Sequence, residues 1–206
     1  MLRVDPSTCQ VRDLAPAVDW LRAGGIVAFP TDTLYGLAVD ATSEDAVAAL
    51  FDLKGRGAHA ALPFVAASRA QVASWCGLGE QDGRLADVFW PGPLTLVRPA
   101  PAAVVPAARA GLDTVAIRVP DHPIARLLAD AWGAPLTATS ANRSGQPPAS
   151  RAADLAPLVS PRLLIVDGGD ARGGPPSTIV DARQSPPRLI RAGAIAWDRV
   201  LHSLQR

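Results

Sequence analysis

Apolar positions along the chain recur with two periods. At 13–23 (DLAPAVDWLRA), Leu14, Val18 and Leu21 share one helical face, with Asp13 placed to cap the helix and Gly24-Gly25 to end it. At 43–53 (SEDAVAALFDL), Ser43 is the expected cap. Glu44 and Asp45 suit the positive end, and Val47, Leu50 and Phe51 form the buried face. Further helical patterns cover 68–75, 80–89, 123–132 with Pro123 at its start, 151–159 and 195–206. Between them lie short apolar runs that predict strands at 26–29, 63–67, 95–99, 115–120, 135–139, 163–167, 177–182 and 187–192. Helices alternating with strands predict a layered α/β domain. Two segments fit neither period. Residues 30–36 (PTDTLYG) read as loop, and 99–112 (PAPAAVVPAARAGL) as a mobile loop within the domain, because strand signals resume at once. With no repeat and no linker, residues 1–206 read as one domain.

Composition narrows the classes. No apolar run approaches the roughly 20 residues of a membrane span, and the start lacks an apolar signal core, so the expected location is the cytoplasm. Twenty basic and nineteen acidic residues leave a formal charge of +1, which is no footprint of a dedicated nucleic-acid binder. The basic set is nineteen Arg and one Lys, so Lys54 stands out: a point-like ammonium has been kept where a planar guanidinium is the default. Cys9 and Cys76 make no disulfide framework, and His59, His122 and His202 lack metal-ligand spacing, so no metal site is expected.

The loops between elements carry the candidate chemistry. Pro30-Thr31-Asp32-Thr33-Leu34-Tyr35-Gly36 follows a strand end, where open α/β sheets bind ligands; an ordinary polar turn has the same composition. Lys54-Gly55-Arg56-Gly57 sets two cations astride a glycine, suited to phosphate; an exposed helix end with a glycine cap reads the same way. Trp90-Pro91-Gly92-Pro93-Leu94-Thr95 reads as a rigid packing turn. Arg118 sits in a buried-looking strand and needs an anionic partner, in the protein or on a ligand. Thr137 to Gly145 is a row of hydroxyls with Asn142, suited to nucleotide phosphate or ribose or to a plain turn. Ser177-Thr178 and Arg191 add another hydroxyl pair and cation. Neither a phosphate-binding G-x-x-x-x-G-K-[ST] loop nor a G-x-S-x-G elbow occurs.

Taken in order, FPTDTLYGLAVDA, LFDLKGR, FWPGPLTLV, VAIRVPDHP, PLTATSANRSG, PPSTIVD and LIRAG resemble the YrdC-like family of threonylcarbamoyl-AMP synthases over roughly residues 14–195. The resemblance implies a twisted, mixed α/β sheet with flanking helices and a large concave cavity, in the short form without an extra C-terminal domain. It implies a reaction in which L-threonine, bicarbonate and ATP give threonylcarbamoyl-AMP and pyrophosphate for tRNA adenosine modification, with Mg2+ accompanying ATP. Positioning and charge neutralisation carry such chemistry. By the resemblance, Lys54 and Arg56 are the catalytic pair on the phosphates, and Thr114, Ser140, Asn142 and Arg191 line the nucleotide site. Thr31, Thr33, Tyr35, Arg118, Ala138 and Ser177 surround threonine, with Arg118 on its carboxylate. A weak tRNA contact and downstream tRNA-modifying proteins are the implied partners. Two positions depart from the family pattern: Gly57 stands for a proline, and Ala66 stands about where many relatives have a histidine. An RNA- or ribosome-associated binding protein on the same scaffold is the alternative.

Overall fold

A computed structural model describes residues 1–55 and 60–205. The strands are β1 Leu2–Arg3, β2 Ile26–Pro30, β3 Tyr35–Ala38, β4 Pro63–Val65, β5 Leu94–Pro99 and β6 Thr114–Arg118. They continue with β7 Leu136–Thr137, β8 Thr139–Ser140, β9 Leu163–Asp167, β10 Thr178–Asp181 and β11 Arg188–Arg191. The α-helices are α1 Ala15–Arg22, α2 Glu44–Lys54, α3 Arg69–Cys76, α4 Glu80–Phe89, α5 Pro123–Trp132 and α6 Trp197–Leu204. The α/β class with flanking helices is as the sequence implied. The strands divide between two mixed sheets, ordered β1-β9-β2-β3-β8 and β11-β10-β5-β6-β4-β7.

Period-2 alternation explains the layers. Ile26 and Ala28 of β2 face one apolar cluster with Leu37, Leu50 and Phe64, while Val27 and Phe29 face another beneath α1 and α5. Both faces of β2 are therefore covered, and all five of its residues are buried. Leu94 and Leu96 of β5, with Val180 of β10, bury a third cluster under α4 and α6.

Local chemistry sets the element ends. Ser43 caps α2 by accepting from the Ala46 amide at 3.2 Å, and Gly55 closes it in the left-handed region at φ 60°. Before β5, the indole of Trp90 donates to Leu94 O at 2.6 Å and Gly92 N donates to Val119 O at 2.8 Å. A Cβ at Gly92 would lie 2.5 Å from Phe89 O, which is why the tight turn uses glycine there.

Several expectations are corrected. Asp13 does not cap α1: it sits in a 3-10 turn, Val11–Leu14, and accepts from Gln10 N at 2.9 Å. The segment at 151–159 is a 3-10 helix, Ala152–Leu158, with Pro157 inside it. Residues 30–36 are not all loop, because β3 begins at Tyr35. The segment at 99–112 is not a mobile loop: Val104, Val105 and Ala108 are buried in the core, and Val105 N donates to Ala41 O at 3.0 Å. The expected strand at 135–139 is two strands in different sheets, with Ala138 the crossing residue.

Candidate active site

A cavity of about 660 Å³ opens between the sheets. Its wall follows from alternation: on β5, Thr95 and Val97 point opposite to Leu94 and Leu96 and face the cavity. On β6, Thr114, Ala116 and Arg118 line it. From β10 and the residue before it come Ser177, Ile179 and Asp181. The opposite wall is Thr31, Thr33, Leu34, Tyr35 and Gly36, and the floor is Ala138, Thr139 and Ser140.

Arg191 reaches this wall through a bulge. Leu189 pairs with Val180 and Arg191 with Ile179, which leaves Ile190 as an extra residue in β11. The extra residue restores the parity that puts Arg191 on the cavity face. There its Nη2 donates to Ser177 O at 2.8 Å and to Ser177 Oγ at 3.1 Å. Partial desolvation and the nearby Arg118 cation lower the proton affinity of Arg191 below the ordinary arginine value.

Arg118, 7% exposed, has a protein partner: Nη1 donates to Asp32 Oδ1 at 2.5 Å. Its Nη2 lies 3.3 Å from both Thr31 Oγ1 and Thr33 Oγ1. The charge that the sequence left open is thus held from behind while the guanidinium still borders the cavity. Thr31 Oγ1 also donates to Leu34 O at 2.7 Å and accepts from Thr33 N at 3.2 Å, which tightens the 31–34 loop into a hydroxyl turn.

Tyr35 is fully buried behind the cavity wall. Its hydroxyl donates to Gly169 O at 2.7 Å, and burial, with Asp167 and Asp170 nearby, pushes the phenol up to about 12. Gly173 N donates to Thr33 O at 2.9 Å and Ala171 N to Ser150 O at 2.8 Å, so the 168–176 loop is tied to the wall opposite Ser177.

Lys54 and Asn142 lie beside the cavity rather than on its lining. The Lys54 ammonium, 2% exposed, donates to Ser140 O, to Asn142 O at 2.9 Å and to Asn142 Oδ1 at 3.5 Å. The alternative of an exposed helix end is thereby corrected, because Lys54 is buried. Asn142 Nδ2 donates to Arg143 O at 2.8 Å and to Gln146 O at 2.7 Å, and Asn142 Oδ1 accepts from Ser140 Oγ at 2.6 Å. Both residues therefore shape the loop that carries Ser140. Arg56, Gly57 and His59 lie outside the described residues. Ala66 is fully buried, and its amide donates to Arg118 O at 2.9 Å.

Sequence reasoning assigns no site role to Asp32, Thr95, Asp181 and Arg183. Asp181, 2% exposed, pairs with Arg183 at 2.8 Å, which holds its carboxyl below the usual range. Thr95 was legible as a hydroxyl out of phase with Leu94 and Leu96. Asp32 stood in the quoted loop, but its partner lies 86 residues away.

Residues 19–193 match the family model described as telomere recombination, which groups Sua5, YciO and YrdC proteins. The chain belongs to the Sua5/YciO/YrdC family. Within that family it is 40% identical over 186 residues to the threonylcarbamoyl-AMP synthase of Pyrococcus abyssi, covering 89% of this chain and 55% of that protein. It is 39% identical over 170 residues to the threonylcarbamoyl-AMP synthase of Chromohalobacter salexigens, covering 82% of this chain and 91% of that protein. The chain thus spans about half the length of the Pyrococcus protein and most of the Chromohalobacter one. The crystal structure of Pyrococcus abyssi Sua5 complexed with L-threonine superposes with a TM-score of 0.87 at 37% identity, covering 98% of this chain and 59% of that one. The Sua5/YciO/YrdC fold is therefore present over nearly the whole chain.

Proposed function

We propose that this chain is a threonylcarbamoyl-AMP synthase, a nucleotidyltransferase that joins L-threonine, bicarbonate and ATP and releases pyrophosphate. The observation that carries the reading is a cavity in which Arg118, backed by Asp32, and Arg191, held by Ser177, face a common space lined with hydroxyls. Two anionic substrates that must meet need such a space. The names of the 37–40% identical relatives support the same reading.

In this scheme the threonine amine is carboxylated by bicarbonate to a carbamate with loss of water, and a carbamate oxygen then attacks the α-phosphorus of ATP as pyrophosphate leaves. No protein nucleophile is required; the enzyme orients two anions and screens their charge. Arg118, Thr31, Thr33 and Ser177 hold the amino acid, with Tyr35 and Ala138 shaping its pocket. Thr114, Ser140 and Arg191 face the nucleotide, Lys54 and Asn142 fix the loop beneath it, and Arg56 meets the phosphates. Among the described residues no group of three His, Cys, Asp or Glu could hold a metal, and Asp181 is committed to Arg183. Mg2+ would enter with ATP as part of that substrate, where it would screen the phosphate charge.

We place the activity in the cytoplasm, in one domain spanning residues 1–206. No helix among the described residues is long and apolar enough to cross a membrane. The product passes to tRNA-modifying proteins, and with a net charge of +1 any direct tRNA contact is weak and salt-sensitive. Incubation with ATP, labelled bicarbonate and a panel of amino acids tests the reading. Pyrophosphate release should require both threonine and bicarbonate. Release that persists without either, or that prefers another amino acid, would overturn it; tight, salt-insensitive RNA binding without release would favour a binding protein.

A further inference from the structure

Thr95 has no role in the scheme above, yet its side chain is 2% exposed and borders the cavity. Its neighbours Leu94 and Leu96 point into the apolar cluster under α4 and α6, so alternation forces Thr95 toward the ligand side. In the ladder Thr95 pairs with Ile179, and Ile179 with Arg191, so three strands set the hydroxyl beside Ser177 and Arg191. Thr95 Oγ1 donates to Ser177 Oγ at 2.8 Å, and Arg191 Nη2 donates to the same oxygen at 3.1 Å. A hydroxyl has two acceptor lone pairs and one proton. With both lone pairs engaged, the Ser177 proton is what remains to give, and the cavity is the open side.

We propose that Thr95 is a positioning residue: by donating to Ser177 Oγ it turns the Ser177 O–H into the cavity, as a fixed donor to an anionic oxygen of the bound amino acid. The proposal rests on the threonine-binding reading of the cavity. It assigns the Thr95 hydroxyl a purpose that packing does not, since valine fills the same β-branched volume. Arg191 supplies the second donor, so the orientation depends on both and not on packing around Ser177 alone.

The test is pyrophosphate release against threonine concentration, at saturating ATP and bicarbonate, for wild type, Thr95→Val, Thr95→Ser, Ser177→Ala and Thr95→Val with Ser177→Ala. Thr95→Val should raise the KM for threonine about tenfold and leave the KM for ATP within about twofold. Thr95→Ser should return threonine KM to within about threefold of wild type. The double variant should be no more than about twofold worse than Ser177→Ala, because the two residues act as a unit. An unchanged threonine KM in Thr95→Val, equal losses for threonine and ATP, failure of serine to rescue, or multiplying losses in the double variant would each overturn the proposal. Where Thr95→Val gives no cooperative melt, Thr95→Ala is read by the same criteria. A wild-type protein with no threonine-dependent release would overturn the functional reading itself, and this proposal with it.

Discussion

Three oxygen acceptors from one loop converge on the Lys54 ammonium, a geometry that suits a compact charge with three radiating donors and not a planar fork. Lys54→Arg should therefore cost stability as well as turnover. Loss of these bonds at a buried site is worth about 1–3 kcal/mol, a fall of roughly 2–12 °C in Tm for a chain of this size. A thermal melt checks it, and an unshifted midpoint would return Lys54 to the surface role its helix-end position suggested. The rarity of lysine singled this residue out in the sequence. Its burial was not legible, because the carbonyls that receive it lie 86 and 88 residues away. Tyr35 gives a second residue-scale test. It is the one tyrosine in the chain, so tyrosinate absorbance reports on it alone. Its folded pKa, about 12, lies above the ordinary value of 10, so the neutral phenol stabilises the fold fully below pH 10. That contribution, on the order of 2 kcal/mol, is lost as pH rises from 10 to 12. The titration midpoint should sit near 12 in the native protein and near 10 in denaturant. Tyr35→Phe should flatten the stability change across that window. A native midpoint near 10 would show the phenol to be solvated.

Among the elements, those with a full period of their own were readable and those made by their neighbours were not. The helices α2, α4 and α5 and the strands β2, β5 and β9 carry enough repeats or caps to declare themselves. Strand β3 has only four residues, with Gly36 among them, and exists because β2 and β8 pair with its two edges. The bulge in β11 leaves no mark in PRLIRA, since parity is decided by the partner strand. What fixes β11 is the close approach that follows it. A Cβ at Gly193 would lie 2.3 Å from Pro176 O and 2.5 Å from Thr178 N, and Ala194 N donates to Pro176 O at 2.9 Å. Gly193→Ala must push this segment away from residues 176–178. We expect a loss of about 1–3 kcal/mol in stability together with a raised KM for threonine, because Arg191 leaves Ser177. Melts and steady-state kinetics on the same preparation decide it; wild-type values in both would mean that the backbone gives way without disturbing the clamp.

At the scale of the whole molecule, the ordered motifs imply the family, the α/β layering and the concave cavity. They did not imply two sheets, because a division of strands between sheets is a property of long-range pairing. The division turns on one short stretch. Thr137 ends β7 in the larger sheet and Thr139 begins β8 in the smaller. Between them Ala138 N donates to Pro63 O at 2.7 Å, and the fully buried Thr137 Oγ1 accepts from Val39 N at 2.9 Å. The amides of Val39 and Ala138 should accordingly exchange with deuterium only on global unfolding, later than those of the cavity rim. Fast exchange at either would mean that the sheets part locally. This crossing makes the cavity floor a yoke: main chain and two hydrogen bonds couple the sheets at residues 137–139, so a load that tilts one is carried into the other. The binding space is therefore braced at its base, where the hydroxyl wall of the smaller sheet meets the wall of the larger sheet that carries both Arg118 and Arg191.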